Sequence, residues 1–231
     1  MCLTLLDPEQ PNQDFPPSQK ALKDPNGLLA VGGCLSSTRL INAYRHGIFP
    51  WYNQEEPILW WSPDPRLVLF PEQLIVSQSL LKTLKKQKFT VTIDRAFKQV
   101  ISACAQPRKE ESNTWITNDI ENAYIELHRL GIAHSAETWL DDVLVGGLYG
   151  VAIGQVFFGE SMFHTATDAS KVAFATLVEK LKNWDYHLID CQVHSSHLAN
   201  LGAVNINRKK FNSLINQYCE QPAETYAWGK N

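Results

Sequence analysis

The sequence predicts an α+β fold: a small, loop-rich N-terminal domain and a larger domain whose mixed, largely antiparallel sheet is flanked by helices. Nine of the 12 prolines lie within the first 65 residues, which is typical of loops. Three candidate strands then follow one another from residue 133 with short turns between them, which favours antiparallel pairing. We place the boundary at the S-P-D-P-R run, so the predicted domains span residues 1–64 and 65–231.

Local patterns predict the elements in order. In the N-terminal domain, one helix lies between a serine cap at Ser36 or Ser37 and Gly47, a residue typical of a helix end. In the larger domain, Asp94 is the predicted cap of one helix. The predicted strands cover residues 67–70, 89–93, 133–140, 143–152, 154–163 and 187–193, further helices begin near residues 77, 118 and 169, and two short helices end the chain.

Charge is distributed unevenly along the chain. The net charge is -3, but residues 65–110 carry a net +6 and residues 111–203 a net -8. The basic segment contains a lysine stripe on one face of a predicted helix, continued by a lysine beyond it: Lys82, Lys85, Lys86 and Lys88. The stripe is either a solvated helix face or a patch that contacts nucleic-acid phosphates, and charge alone does not decide between them.

Several classes of protein are disfavoured by what the sequence lacks. It shows no signal peptide and no apolar run of membrane-spanning length, and its five scattered cysteines suit a reducing compartment, so we expect a cytoplasmic protein. Glycine-rich stretches match neither a dinucleotide nor an ATP motif. The run from Cys191 through His194 to His197 crosses from a strand into a helix, so we expect no metal site and no cofactor.

Aromatic residues gather near the predicted domain boundary. Trp51, Trp60 and Trp61 lie within eleven residues, beside prolines, in a segment too irregular to form a large core. Core packing explains most tryptophans. The alternative is an aromatic wall that takes an apolar side chain or stacks on a base.

Two strands carry carboxylates among apolar residues. Strand alternation places Phe158, Glu160 and Met162 on one face, so Glu160 forms either a structural salt bridge or a site for a substrate ammonium. Alternation likewise points Asp190 and Gln192 the same way, with Cys191 on the other side. That pair is either structural or able to hold and deprotonate an attacking amine.

Ten short blocks occur in order along most of the chain. They are D-P-N-G-L-L-A-V-G-G (24–33), G-I-F-P-W (47–51), W-W-S-P-D-P-R (60–66), T-W-I-T (114–117), A-H-S-A-E (133–137), G-G-L-Y-G (146–150), F-G-E-S-M-F (158–163), A-S-K (169–171), L-I-D-C-Q-V (188–193) and H-L-A-N-L-G-A (197–203). Together they closely resemble the leucyl/phenylalanyl-tRNA-protein transferase family.

This resemblance implies a bacterial cytosolic enzyme that moves leucine or phenylalanine, with methionine as a further candidate, from aminoacyl-tRNA to the N-terminal Arg or Lys of a protein. The product is marked for degradation in the N-degron pathway. The resemblance also implies a GNAT-like larger domain that works without metal or cofactor, with tRNA as the acyl donor.

Site residues follow from the matching blocks. The resemblance implies that Trp51 and Trp115 hold the terminal adenosine and the aminoacyl end, that Glu160 positions the aminoacyl-tRNA, and that Asp190 and Gln192 bind and activate the acceptor amine. The other expected substrate contacts are Phe158, Ser161 and Met162. The four lysines named above are expected to meet tRNA. The chain departs from the family pattern at Cys34, where an acidic residue is usual, and at residues 164–168, which lack a usual arginine.

Two other functions remain open at this point. A non-catalytic module could bind aminoacyl-tRNA or an N-terminal residue through its tryptophans. An unrelated acyltransferase could use the thiol of Cys191.

Overall fold

The computed structural model describes residues 3–106 and 114–229, in which eleven strands form two sheets. The strands are β1 (Thr4–Leu6), β2 (Leu28–Gly32), β3 (Phe49–Pro50), β4 (Leu59–Trp61), β5 (Arg66–Leu69), β6 (Thr90–Ile93), β7 (Ala133–Leu140), β8 (Val143–Ile153), β9 (Val156–His164), β10 (Leu188–Gln192) and β11 (Val204–Ile206). The helices are α1 (Ser37–Arg45), α2 (Gln78–Lys85), α3 (Phe97–Cys104), α4 (Asn118–Arg129), α5 (Ala169–Asn183), α6 (Ser196–Ala199) and α7 (Arg208–Tyr218). Residues 107–110 of the predicted basic segment lie outside the described residues.

The larger sheet has the order β11-β5-β10-β9-β8-β7-β6. Its strands pair antiparallel except for β9 with β10, which are parallel because α5 connects them. The predicted α+β class with a mixed, largely antiparallel sheet is therefore confirmed.

Helices cover both faces of this sheet. Helices α3 and α4 pack on one face, together with α1 from the N-terminal segment, and α5 and α2 cover the other. Side chains of β8 alternate between the two cores: Tyr149 and Val151 join the first, and Leu148 joins the second. No helix in the described parts of the chain is long and apolar enough to cross a membrane.

The smaller sheet, β1-β2-β4-β3, is built entirely from residues before the predicted boundary. Its strands are two to five residues long, so their hydrophobic pattern is too short to predict them, and only α1 of this segment was predicted. The predicted domain boundary between residues 64 and 65 stays a prediction, because residues on both sides of it pack into one hydrophobic core with α1.

The strands and helices of the larger domain largely match their predicted positions, with two differences. Strand β11 was not predicted, and it separates α6 from α7. Asp94 does not cap α3, because its carboxylate accepts hydrogen bonds from the backbone of Ser135 and pairs with His134. The Glu137 carboxylate instead accepts hydrogen bonds from the two backbone N–H groups that precede α3, those of Arg95 and Ala96.

A β-bulge overturns part of the predicted alternation in β9. Gly159 pairs with Gly150 and Ser161 with Tyr149, so Glu160 is an extra residue on its strand. Phe158 therefore packs into the core beneath α1, whereas Met162 packs into the opposite core beneath α5. The prediction that these two side chains share one face was wrong, because the extra residue reverses the alternation beyond it.

Candidate active site

A cavity of about 270 Å³ opens where β3 of the smaller sheet meets the middle of β9 and the end of β10. Trp51 and Trp115 form its aromatic side, one from each side of the predicted domain boundary. Its polar lining includes the side chains of Glu160, Ser161 and Gln192. A small cavity with aromatic walls and a few convergent polar groups is typical of a ligand site.

The predicted aromatic wall consists of fewer tryptophans than expected. Trp51 is 45% exposed and lines the cavity. Trp61 supports it at a ring-centroid distance of 5.7 Å and donates its indole N–H to the carbonyl of Trp51 at 2.7 Å. Trp60 is fully buried, packs on Phe15 and donates to the carbonyl of Gly32, so it is a core residue.

Glu160 lies at the centre of a hydrogen-bond network. Its Oε1 accepts from the Tyr44 hydroxyl and from the Gln192 amide, each at 2.8 Å, and its Oε2 accepts from the Tyr124 hydroxyl at 3.1 Å. The two tyrosine oxygens also lie within hydrogen-bond distance of each other, and since each hydroxyl has a single hydrogen, a bond between them replaces one of the two donations to Glu160. The carboxyl is therefore held by helix α1, helix α4 and strand β10 together.

Burial changes the acidity of this group. Burial raises the pKa of Glu160 to about 8, and the nearby charge of Asp190 adds to the effect, while the hydrogen bonds from Tyr44, Tyr124 and Gln192 act in the opposite direction. The pKa values of both tyrosines lie well above their ordinary range, because of burial first and then the charge of Glu160. Near neutral pH the carboxyl of the free protein is therefore mostly protonated, and it titrates close to physiological pH.

The β9 bulge explains why two consecutive residues face the cavity. Glu160 and Ser161 both line it, which regular alternation would not allow. Phe158 does not reach the cavity lining; it is fully buried, with its ring 5.1 Å from that of Tyr44. Met162 lies on the other face of the sheet. Of the three further substrate contacts predicted, only Ser161 lines the cavity.

A buried ion pair lies behind the cavity. The Arg66 guanidinium donates through Nε and Nη2 to the two oxygens of Asp190, at 2.8 and 2.7 Å, and both side chains are almost fully buried. The guanidinium lies between the rings of Phe49 and Phe211, at 4.7 and 4.6 Å from their centroids. Two parallel charge-assisted hydrogen bonds fix the orientation of the carboxylate.

This pair also shapes the end of β10. Asp190 and Gln192 lie opposite the consecutive residues Val68 and Leu67, so Cys191 is bulged out. The backbone N–H of Gln192 donates to Oδ1 of Asp190 at 2.9 Å, and Gln192 has a φ of 63°. Its amide Nε2 then reaches Glu160. The two side chains have different partners, Arg66 for Asp190 and Glu160 for Gln192, so their predicted shared direction stays a prediction.

The three predicted catalytic residues are therefore not equivalent. Glu160 and Gln192 line the cavity, whereas Asp190 does not and has both oxygens engaged by Arg66. This arrangement does not favour direct contact between Asp190 and an acceptor amine. Arg66 and the two tyrosines were not predicted as site residues: Arg66 belongs to the W-W-S-P-D-P-R block, but Tyr44 and Tyr124 look like ordinary members of apolar helix faces.

The predicted lysines are exposed. Lys82 and Lys85 lie on α2, Lys86 caps its C-terminal end, and Lys88 follows it. None of the four forms a salt bridge with a residue in the described ranges, so their charges are available to a partner. Helix α2 packs on α5, where Thr83 donates to Asp168 at 3.3 Å.

Cys191 is poorly suited to nucleophilic catalysis. Its side chain packs against the α5 core, and burial first and the charge of Asp190 second raise the pKa of its thiol well above the ordinary value. Among residues 3–106 and 114–229, no group of three or more His, Cys, Asp or Glu side chains could hold a metal ion.

Comparison with known proteins identifies the family of this chain. Residues 68–216 match the model of the leucyl/phenylalanyl-tRNA protein transferase family, and residues 33–64 match the model of its N-terminal domain. The protein of that name from Methylococcus capsulatus is 58% identical over 98% of this chain and 96% of its own length. The one from Azotobacter vinelandii is 59% identical over 90% of this chain and 92% of its own.

Solved structures resemble the fold only distantly. A GCN5-related N-acetyltransferase from Kribbella flavida is 12% identical, with a TM-score of 0.38 over 70% of this chain and 58% of its own. The sequence matches are far stronger, and they define an aminoacyltransferase. The chain belongs to the leucyl/phenylalanyl-tRNA protein transferase family.

Removing one partner of the buried ion pair should destabilise the protein strongly. Arg66→Met leaves the Asp190 carboxylate buried without a counter-charge, so we expect the free energy of unfolding to fall by about 3–5 kcal/mol. Arg45→Met is the matched control, because Arg45 pairs with Glu220 at the surface and its loss should cost less than about 1 kcal/mol. Urea denaturation measures both variants. Equal losses would contradict a structural role for the buried pair.

Proposed function

We propose that the protein transfers leucine or phenylalanine from aminoacyl-tRNA to the N-terminal Arg or Lys of acceptor proteins, in the cytoplasm, and so marks them for the N-degron pathway. The observation that carries the proposal is the cavity in which Glu160, Ser161 and Gln192 converge beneath Trp51 and Trp115. Relatives that match nearly the whole chain are named leucyl/phenylalanyl-tRNA–protein transferase, which supports the aminoacyl donor and a protein acceptor.

The proposed reaction is aminolysis of an ester. The amine nitrogen of the acceptor attacks the ester carbonyl carbon, a C–N bond forms, and the C–O bond to the ribose breaks. The amine loses a proton, and the departing ribose oxygen gains one. Because the ester is already activated, the enzyme has mainly to align the two substrates and to transfer the proton that the amine loses. No covalent enzyme intermediate is required.

Glu160 is the proposed proton acceptor. A base is most effective when its pKa lies near the working pH, and the pKa of about 8 for Glu160 meets that condition. An approaching ammonium favours the ionised carboxylate, because the two charges attract each other. The carbonyl oxygen of the Gln192 amide, whose nitrogen is engaged by Glu160, is available to accept a hydrogen bond from the same amine.

The other predicted residues take supporting roles in this proposal. Trp51 and Trp115 stack on the terminal adenosine and the aminoacyl end, and Ser161 contacts the ester. Asp190 is a positioning residue, since it acts through the backbone of Gln192 rather than on the substrate. The exposed lysines on and beyond α2 bind tRNA phosphates.

A direct transfer assay tests the proposed function. Incubation with radiolabelled Phe-tRNA and a peptide beginning with Arg should give a peptide extended by phenylalanine, together with free tRNA. A peptide whose Arg is N-acetylated is the control, because it lacks the attacking amine. Binding of Phe-tRNA without any transfer to the free peptide would instead identify a non-catalytic binding module.

The pH dependence of transfer tests the role of Glu160. If its carboxylate accepts the proton, kcat/KM rises as the pH increases through about 8, because the ionised fraction grows. The acceptor amine also titrates in this range, so the comparison variant is Tyr44→Phe. This variant lacks the hydrogen bond from the Tyr44 hydroxyl to Glu160, so the pKa of Glu160 is raised further and the rise of kcat/KM shifts toward alkaline pH. The titration of the acceptor amine is unchanged. Superimposable profiles would rule out Glu160 as the base.

Charge reversal on α2 tests the proposed tRNA contacts. Changing Lys85 and Lys86 together to Glu should raise KM for aminoacyl-tRNA and make it less sensitive to salt, because fewer counterions are released. The matched control reverses Lys209 and Lys210, another exposed adjacent pair, on α7. The same KM and salt dependence in the two double variants would show that the α2 lysines form only a solvated helix face.

A further inference from the structure

The basic surface of α2 does not end at that helix. The Thr83 hydroxyl of α2 donates to Oδ2 of Asp168 at 3.3 Å, and Oδ1 of the same carboxylate accepts from the Lys171 ammonium at 3.0 Å. Lys171 belongs to the first turn of α5, and its side chain is 41% exposed. Asp168 therefore holds an accessible lysine of α5 beside α2.

The two segments that meet here are mostly positive. Residues 77–88 contain four lysines and no acidic residue, and residues 161–175 contain Lys171 and a single acidic residue, Asp168. Five lysines and one aspartate leave a net charge of +4. A surface of this sign favours an anionic partner.

Strand β9 connects this surface to the cavity. Ser161 lines the cavity and His164 ends the strand, so about 10 Å of extended chain separates the two residues. His164 is exposed, and its Nδ1 lies 3.4 Å from the hydroxyl of Ser170, the residue before Lys171. The start of α5 therefore contacts the end of β9 on one side and α2 on the other.

Helix α6 borders the same place. It begins three residues after Val193 of the cavity lining, and it carries His197. Burial lowers the pKa of His197 first, and the charges of Lys171 and His164 lower it further. The positive potential at the start of α5 therefore extends to the segment that follows β10.

We propose that Lys171 binds the phosphates of the single-stranded 3′ end of tRNA where it runs from the cavity to α2, an inference that rests on the proposed function. The terminal base and the aminoacyl group lie in the cavity, the phosphates that precede them pass His164 and Lys171, and the remainder of the tRNA reaches the α2 lysines. At about 3.4 Å per stacked nucleotide, the length of β9 between the cavity and His164 matches about three nucleotides.

The chemistry of the lysine suits this partner. An ammonium on a flexible stem binds phosphate as a point charge, and phosphate contacts carry no sequence information. A protein that accepts tRNAs for two amino acids needs such contacts. The alternative is that Lys171 and Asp168 form only a surface ion pair within one helix, which contributes at most about 1 kcal/mol to stability and nothing to donor binding.

Donors of increasing length separate these alternatives. Phenylalanine esterified to adenosine has no phosphate, the same ester of CpCpA has the phosphates of the 3′ end alone, and Phe-tRNA has the whole molecule. Lys171→Gln should lower kcat/KM several-fold with the CpCpA ester and with Phe-tRNA, and should leave it unchanged with the adenosine ester. The change of Lys85 and Lys86 to Glu should affect Phe-tRNA alone.

Lys182→Gln is the matched control for Lys171→Gln. Lys182 lies near the other end of α5, is 40% exposed and pairs with Glu72 at 2.7 Å, so the two variants lose the same kind of surface ion pair. Melting temperatures establish that both variants are folded. Equal losses with the adenosine ester and the CpCpA ester, no loss with any donor, or the same losses in Lys182→Gln would each overturn the proposal.

A binding measurement tests the contact independently of transfer. In fluorescence anisotropy with uncharged tRNA labelled at its 5′ end, Lys171→Gln should bind several-fold more weakly than the unchanged protein. Its slope of log affinity against log salt concentration should be shallower by about 1, because one phosphate contact is lost. Absence of transfer from every donor would refute the proposed function, whereas this weaker binding would still support the phosphate contact. Equal tRNA binding by Lys171→Gln and Lys182→Gln would overturn it.

Discussion

The buried ion pair between Arg66 and Asp190 is the constraint on which the candidate site depends. Desolvating both charges is costly, and this cost is offset by two parallel hydrogen bonds and by the aromatic rings on either side of the guanidinium. The same carboxylate accepts the backbone N–H of Gln192 and so stabilises the bulge at Cys191. The pair thus determines where the Gln192 amide lies, and that amide contacts Glu160.

The second constraint is that the site requires both sheets. Glu160 extends from β9 of the larger sheet, but one of its hydrogen bonds comes from Tyr44 on α1, which precedes the predicted domain boundary. Trp51 comes from the same part of the chain. Packing of the smaller sheet against the larger one therefore assembles the cavity and buries the carboxyl, and burial is the main reason that Glu160 titrates near physiological pH.

Sequence patterns predicted the long elements better than the site. Strands β7, β8 and β9 are long enough for their hydrophobic pattern, and the turns between them, to be recognised in the sequence. Strands β1, β3 and β11 have only two or three residues, which is too short for such a pattern. The position of Glu160 among apolar residues indicated its burial. The bulge in β9 was not predictable, because a single extra residue leaves no periodic signal in the sequence. The face of the sheet predicted for Met162 was therefore wrong. The environment of Asp190 likewise depends on Arg66, 124 residues away in the chain.

In the proposed mechanism, Arg66 and Asp190 act on the chemistry through Gln192. A double-mutant cycle on kcat/KM for transfer measures this coupling, with Arg66→Lys, which keeps the charge but loses the bidentate geometry, and Gln192→Ala. Melting temperatures establish that each variant is folded. Both single changes should lower kcat/KM, and the double variant should be no slower than Gln192→Ala alone. If the two losses multiply, Arg66 and Gln192 act independently, which would contradict a role of Arg66 through Gln192.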